Sequence, residues 1–251
     1  MAVQAAREAG RITLEYFRRE DLDVELKHDD TPVTAADRRA EQHLRERIAA
    51  AFPADGIVGE EYGEQAGTSG CRWILDPIDG TKSFIHGVPL YATLVALEHE
   101  EQSLLGVIHI PALDECVYAA RGQGAWYLHG QQPPRRARVS QRQPLSKALF
   151  LTSEVINFDR TGRRGAYDRL QAGCRLARTW GDGYGYLMVA TGRAEVMVDP
   201  VMALWDAAAL PAVLEEAGGT FTDWRGNATY QGGEGIATNG LLLPEALECL
   251  S

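Results

Sequence analysis

The run Trp73-Ile74-Leu75-Asp76-Pro77-Ile78-Asp79-Gly80-Thr81 carries the residues best suited to chemistry. An apolar stretch typical of a buried strand delivers two carboxylates three residues apart, with Pro77 stiffening the turn between them. Hard divalent cations want clustered carboxylate oxygens, and magnesium usually takes only a few from the protein while substrate phosphate supplies others. A helix start after Gly80 would aim free backbone N–H groups at an anion. Cation ligands beside an anion cradle suggest phosphoryl chemistry. By itself Asp-x-x-Asp-Gly is equally an ordinary Asx turn closing a strand, and acids elsewhere in the chain must separate the two readings.

The elements that would position this stretch follow from periodicity and punctuation. Residues 2–19 read as an amphipathic helix, with Val3, Ala6, Ile12, Leu14, Tyr16 and Phe17 as candidates for burial. Residues 24–27 alternate as a short strand, and 28–32 form a polar surface loop. Thr34 is a plausible N-cap for a helix over 35–51, ended by Phe52-Pro53, and Asp37 in its first turn complements the helix dipole. Residues 56–59 give an apolar strand running into Glu60 and Glu61, for which plain exposure at a strand end is the alternative. Residues 62–70 read as a loop.

Strand-like segments near 91–98, 104–110 and 115–120 suggest an antiparallel meander. Composition shifts around 128–146, where Arg135, Arg136, Arg138 and Arg142 cluster, and this is the expected boundary between an N-terminal lobe, 1–133, and a C-terminal lobe, 134–251. Beyond it the spacing predicts strands near 148–152, 194–198, 219–223 and 235–238, and a strand or turn near 175–179. Helices are expected over 161–173, toward 187–191, from Trp205 to about Ala217, and over 244–250. Helices alternating with strands make the chain mixed α/β.

With 251 residues, 45% of them hydrophobic and 24% charged, the chain is long enough for a large core and ordinary for a globular protein. Its formal net charge of −10 argues against a nucleic-acid binder, so the arginine cluster reads as a solvated connection. Cys71, Cys116, Cys174 and Cys249 are scattered and read as reduced thiols. His86, His99, His109 and His129 lack metal-ligand spacing, which leaves them packing or surface roles. Neither a secretory leader nor a membrane-length apolar run is visible, so a cytoplasmic protein without membrane partners is expected.

Three features stand in order: Gly-x-x-Gly-Glu-Glu at 56–61, Asp-Pro-Ile-Asp-Gly-Thr at 76–81 and Trp-Asp-Ala-Ala at 205–208. Together with Pro-Val-Thr-Ala-Ala-Asp at 32–37 and Glu-Ala-Gly-Gly at 216–219, they make the chain resemble the inositol monophosphatase family of magnesium-dependent, lithium-sensitive phosphomonoesterases. The resemblance implies a layered αβαβα sandwich of two closely packed lobes, commonly homodimeric. It implies metal ligation by Glu60, Asp76, Asp79, Asp206 and the Ile78 carbonyl, with Gly80 and Thr81 meeting phosphate and Asp37 pairing with Thr81. Lys27 and the following loop, with Asp29 or Asp30, match a mobile segment that closes on the site. Acids brought into one pocket would repel each other unless cations compensate, and two or three magnesium ions, with manganese as a possible substitute, would do so. The implied reaction is attack on phosphorus by a metal-activated water oriented by Thr81, Asp37 and Glu60.

Substrate choice depends on residues beyond that core. Asp199 stands seven residues before Asp206, and Asp182 follows Arg178-Thr179-Trp180-Gly181, in segments that line the same part of the pocket in relatives. Two acids there suit a cationic leaving group, and Arg178 either lines the pocket or pairs with an acid. The Thr-Lys-Ser-Phe-Ile-x-Gly-x-Pro run at 81–89 and Trp-Gly-Asp-x-Tyr-Gly-Tyr at 180–186 look like the family's histidinol-phosphatase branch. Hydrolysis of the phosphate monoester L-histidinol phosphate is therefore expected. In the alternative, Asp182 caps a helix, Asp199 binds sugar hydroxyls, and the substrate is an inositol phosphate. A 3′-phosphoadenosine phosphatase or a non-catalytic metal-binding scaffold fits less well.

Overall fold

The computed structural model describes residues 1–27 and 31–251. The first half runs α1 (Ala2–Leu14), β1 (Val24–Leu26), β2 (Pro32–Thr34), α2 (Ala35–Ala51), β3 (Gly56–Gly59), β4 (Gly63–Gln65), β5 (Cys71–Asp79) and α3 (Thr81–Ile85). It continues through β6 (Ala92–His99), β7 (Gln102–Ile110), β8 (Glu115–Ala120), β9 (Ala125–His129) and β10 (Arg135–Arg136). The second half holds β11 (Leu149–Leu151), α4 (Val155–Arg160), α5 (Arg164–Gly173), β12 (Leu176–Arg178), α6 (Gly183–Ala190) and β13 (Val196–Asp199). It ends with α7 (Leu204–Ala207), α8 (Leu210–Glu216), β14 (Thr220–Thr222), β15 (Gly235–Thr238) and α9 (Leu243–Leu250).

An eight-stranded sheet has the order β10-β9-β8-β7-β6-β5-β3-β4, and a five-stranded sheet the order β12-β11-β13-β15-β14. The expected meander is present: β6, β7 and β8 pair antiparallel in sequence. Only β3 and β5 run parallel in the larger sheet, and this sets Glu60 beside the end of β5. The chain passes from one sheet to the other between Arg136 and Leu149.

Strand alternation sorts side chains into layers, because successive residues face opposite sides. In the larger sheet Trp73, Leu75, Val95 and Val107 pack with α1 and α2, whereas Ile74, Leu94, Ala96 and Ile108 pack with α6 and α8. In the smaller sheet Met197 and Ala237 share that second cluster, while Val196, Val198 and Ile236 meet α5 and α9 on the outer face. Helices α6 and α8 thus lie between two sheets, giving the expected αβαβα sandwich.

Three departures from the sequence reading have physical causes. Helix α1 stops at Leu14, and its buried face is Ala2, Ala5, Ala6, Ala9, Gly10 and Thr13; of the bulky candidates, Leu14 is 41% exposed. The helix lies too close to the sheet for larger side chains, since a Cβ on Gly10 would come within 2.7 Å of the His109 ring. Phe17 leaves the helix to pack on Phe84 and Tyr91, at ring-centroid distances of 5.7 and 5.2 Å, behind α3. Such aromatic pairs add about 0.5–1.5 kcal/mol each beyond area burial. The helix expected from Trp205 to Ala217 is two, because Pro211 lacks an N–H and its ring opposes the carbonyl four residues back, so the chain re-enters at α8. The loop read over 28–32 ends in β2, which pairs with β1; its residues 28–30 lie outside the described residues.

Candidate active site

Strand β5 is buried from Trp73 through Ile78. Its pairing with β6 is regular to Asp76, which sits opposite Leu94, and then Asp79 sits opposite Ala92. Three steps on β5 therefore answer two on β6, which is a bulge. In a regular strand, residues three apart face opposite sides. The extra residue returns Asp79 to the side of Asp76. Carboxylate oxygens of Asp76, Asp79 and Asp206 consequently lie within 4.8 Å of one another.

Each of these acids is anchored by a backbone donor. Asp76 Oδ1 accepts from Ile78 N at 3.0 Å, Asp79 Oδ2 from Gly183 N at 2.5 Å, and Asp206 Oδ2 from Ala203 N at 2.8 Å. Burial, then the nearby charges of Glu60, Asp79 and Asp206, raises Asp76 well above the usual carboxylate range. Burial and the charges of Asp182 and Asp206 do the same to Asp79. Burial, aided by Glu60 and Asp182, pushes Asp206 up to about 7 against its Ala203 hydrogen bond. A cluster of oxygen donors this crowded and this costly to ionise fits a hard divalent cation, which would relieve burial and repulsion together.

Gly80 follows at φ +85°, and a Cβ there would come within 2.5 Å of Asp182 Oδ2; glycine is required by conformation and by space. Thr81 opens α3, its hydroxyl 3.0 Å from the Ile78 carbonyl and 3.5 Å from Asp37 Oδ1. Asp37 is fully buried and closes a capping box, its other oxygen accepting from Thr34 N and Oγ1 at 2.8 and 2.7 Å. Burial raises it to about 6 despite those bonds.

Glu60 lines the same pocket, and its N–H donates to the Leu75 carbonyl at 3.2 Å, but its carboxylate stands outside the three-acid cluster. Lys27 Nζ holds Glu60 at 2.8 Å and Glu61 at 2.7 Å. Burial works against the charge on Lys27, yet the hydrogen bonds to both glutamates keep its pKa above the ordinary lysine value. Asp29 and Asp30 lie outside the described residues. Sequence reasoning missed Glu41, which is fully buried on α2 and accepts from Glu61 N at 2.7 Å and Tyr62 N at 3.2 Å, fixing the turn that carries Glu60. Its signal was available, since Asp37, Glu41, Leu44 and Ile48 share the buried face of one helix.

A second wall comes from the second half of the chain. Asp199 is buried and accepts four hydrogen bonds, from Thr152 Oγ1 (3.2 Å), Ser153 N (2.9 Å), Ser153 Oγ (3.0 Å) and Tyr186 Oη (2.9 Å). Asp182 has its backbone N–H bound to Ser153 Oγ at 2.9 Å, and its carboxylate, beside the Ser153 hydroxyl, has no ion-pair partner among the described residues. Its backbone holds φ +53° and ψ −157°, a region few non-glycine residues adopt. Burial and the neighbouring Asp199 charge push it to about 6. Arg178 does not join this wall: it is exposed on β12, donates to the Ala177 carbonyl and is absent from the pocket lining, since Thr179 and Gly181 take that side. Lys82, which belongs to the 81–89 run, lines the pocket, as do Ser153 and Glu154, which no sequence motif had marked for that place.

A layered sandwich that gathers carboxylates at a helix start is a scaffold for cation-assisted phosphate chemistry. The sequence model described as the inositol monophosphatase family matches residues 1–250, and the chain belongs to that family of divalent-metal-dependent phosphatases. It is 46% identical over 238 residues to a histidinol-phosphatase of Chlorobaculum parvum, covering 95% of this chain and 90% of that one. A Mycobacterium tuberculosis protein of the same name is 39% identical, covering 100% and 96%. Among solved structures, the extragenic suppressor protein suhB of Bartonella henselae superposes with a TM-score of 0.90 at 32% identity, covering 100% and 96%.

Proposed function

We propose that this chain is a magnesium-dependent phosphomonoesterase that hydrolyses L-histidinol phosphate to L-histidinol and phosphate, a step of histidine biosynthesis. The observation that carries the phosphatase reading is the meeting of Asp76, Asp79 and Asp206 within 4.8 Å in a pocket of about 350 Å³, a size suited to a small ester. The substrate reading draws on the similarity to histidinol-phosphatases and on the Asp182 carboxylate, which has no ion-pair partner among the described residues and suits a cationic leaving group.

Asp76, Asp79 and Asp206, with Glu60 and the Ile78 carbonyl, would hold two or three magnesium ions, manganese being a substitute. When bound, such cations neutralise phosphate charge and make a neighbouring water more acidic. The rest belongs to the protein. Gly80 and Thr81 offer backbone N–H groups to the phosphate at a helix start. Asp37 Oδ1 takes the proton side of the Thr81 hydroxyl, which frees the oxygen of Thr81 to accept from the attacking water. Glu60, released from Lys27, would orient that water from the other side, and Lys27 with Asp29 or Asp30 would match the family segment that closes on the site. Residues 1–133 supply most of the metal ligands, and residues 134–251 supply Asp206 and the substrate wall. We infer a cytoplasmic homodimer from the family resemblance.

The test compares kcat/KM for L-histidinol phosphate and inositol 1-phosphate on purified protein with magnesium. The expected result is a clear preference for L-histidinol phosphate. Comparable or better turnover of the inositol ester would overturn the substrate, and no release of phosphate from either would overturn the activity.

A further inference from the structure

Among the described residues, seven acidic side chains and one basic side chain, Lys82, line the pocket, so their charge is far from balanced. Four of those acids belong to the cation end. Asp199 is saturated by Thr152, Ser153 and Tyr186. Two remain: Asp182, whose carboxylate has no ion-pair partner among the described residues, and Glu154, whose Oε1 lies 2.5 Å from Lys82 Nζ. They share one wall, because Ser153 binds the Asp182 N–H and is followed directly by Glu154.

The Lys82–Glu154 pair reaches across the pocket, from the residue after Thr81 to the residue preceding α4. Its side chains are 60% and 30% exposed, and pairs so placed are held weakly and exchange readily. The geometry points to Glu154 as a specificity-determining residue: with Asp182 it takes the ammonium group of an amino-alcohol leaving group, and Lys82 holds that place until substrate arrives. One ammonium replaces another, so no carboxylate is left desolvated and alone, which is the costly outcome in such exchanges. An uncharged polyol cannot displace Lys82 in this way, and an anionic leaving group meets Asp182 without compensation. This inference rests on the amino-alcohol ester proposed above and adds the residue that selects it.

The test is steady-state kinetics of the magnesium-loaded wild type, Glu154→Gln and Glu154→Asp on L-histidinol phosphate and glycerol 2-phosphate, with calorimetric binding of L-histidinol alone to each protein. In Glu154→Gln the ratio of kcat/KM for L-histidinol phosphate over that for glycerol 2-phosphate should fall about tenfold, through KM, and L-histidinol binding should weaken by a similar factor. Glu154→Asp should retain part of both, and Lys82→Met should tighten L-histidinol binding. Equal loss on the two esters, or an unmoved ratio, overturns the role of Glu154 while leaving the amino-alcohol reading standing. A wild type that hydrolyses glycerol 2-phosphate and ignores L-histidinol phosphate overturns that reading and this inference with it.

Discussion

The two ends of the pocket use the same side chain under opposite conditions. At the cation end Asp76, Asp79 and Asp206 crowd together with one backbone donor each. At the second wall Asp199 is surrounded by donors, whereas the Asp182 carboxylate has only the shared Ser153 hydroxyl beside it among the described residues. Whether an aspartate holds a cation, braces a loop or waits for a ligand is decided by the donors that tertiary structure brings to it, not by its place in the pocket.

Substitutions can break this contrast. Asp79→Asn should lower kcat about a thousandfold or more, because it removes a carboxylate that would hold a cation needed to balance phosphate charge. The same variant should melt no lower than wild type in chelator, since it discards a crowded charge; near-normal phosphate release would undo the assignment of the cation end. Thr81→Val should cost about a hundredfold in kcat, the usual scale for losing a positioned proton-handling group, read from steady-state turnover at saturating magnesium. At the second wall, Asp182→Asn should raise KM for L-histidinol phosphate about tenfold without loss of stability. Asp199→Asn should instead destabilise the protein by about 2–3 kcal/mol in urea unfolding, as its bonds to a charged acceptor are lost. If the two variants behaved alike, the distinction between braced and waiting carboxylates would fail.

A further effect is a pH dependence of the metal-free protein. Asp206 is raised from 3.8 to about 7, so between those values the folded state binds more protons than the unfolded one. Its protonated form is favoured in the fold, and stability falls as pH rises through that window, by on the order of 2–4 kcal/mol. His109 works the other way, because burial lowers it from 6.5 to about 4 and its stabilising neutral form is lost as pH falls. The readout is therefore the difference between wild type and Asp206→Asn, measured as melting temperature in chelator from pH 4 to 7. The variant should lose less stability toward pH 7.

The Asp76–Thr81 turn was legible because its information is local. Asp76, Asp79, Gly80 and Thr81 are neighbours in sequence, and Thr34, the 35–51 helix and the meander follow from capping and periodicity. What was not legible depends on distant contacts. The bulge that aligns Asp76 with Asp79 appears only in the pairing with β6. The contrast between Asp182 and Asp199 rests on Ser153 and Tyr186, and Arg178 faced away for reasons no motif encodes. The small-residue face of α1 depended on how near the sheet lies, while Pro211 announced the break between α7 and α8 in plain sight.

Asp206 sits on α7, just before the helix clamped between the two sheets. A ribosome making this chain must add more than two hundred residues before the third carboxylate exists, and the layers must close before it reaches the other two. Partly synthesised or truncated chains thus carry the Asp76–Asp79 turn without its counterpart, and competence arrives only with the finished architecture.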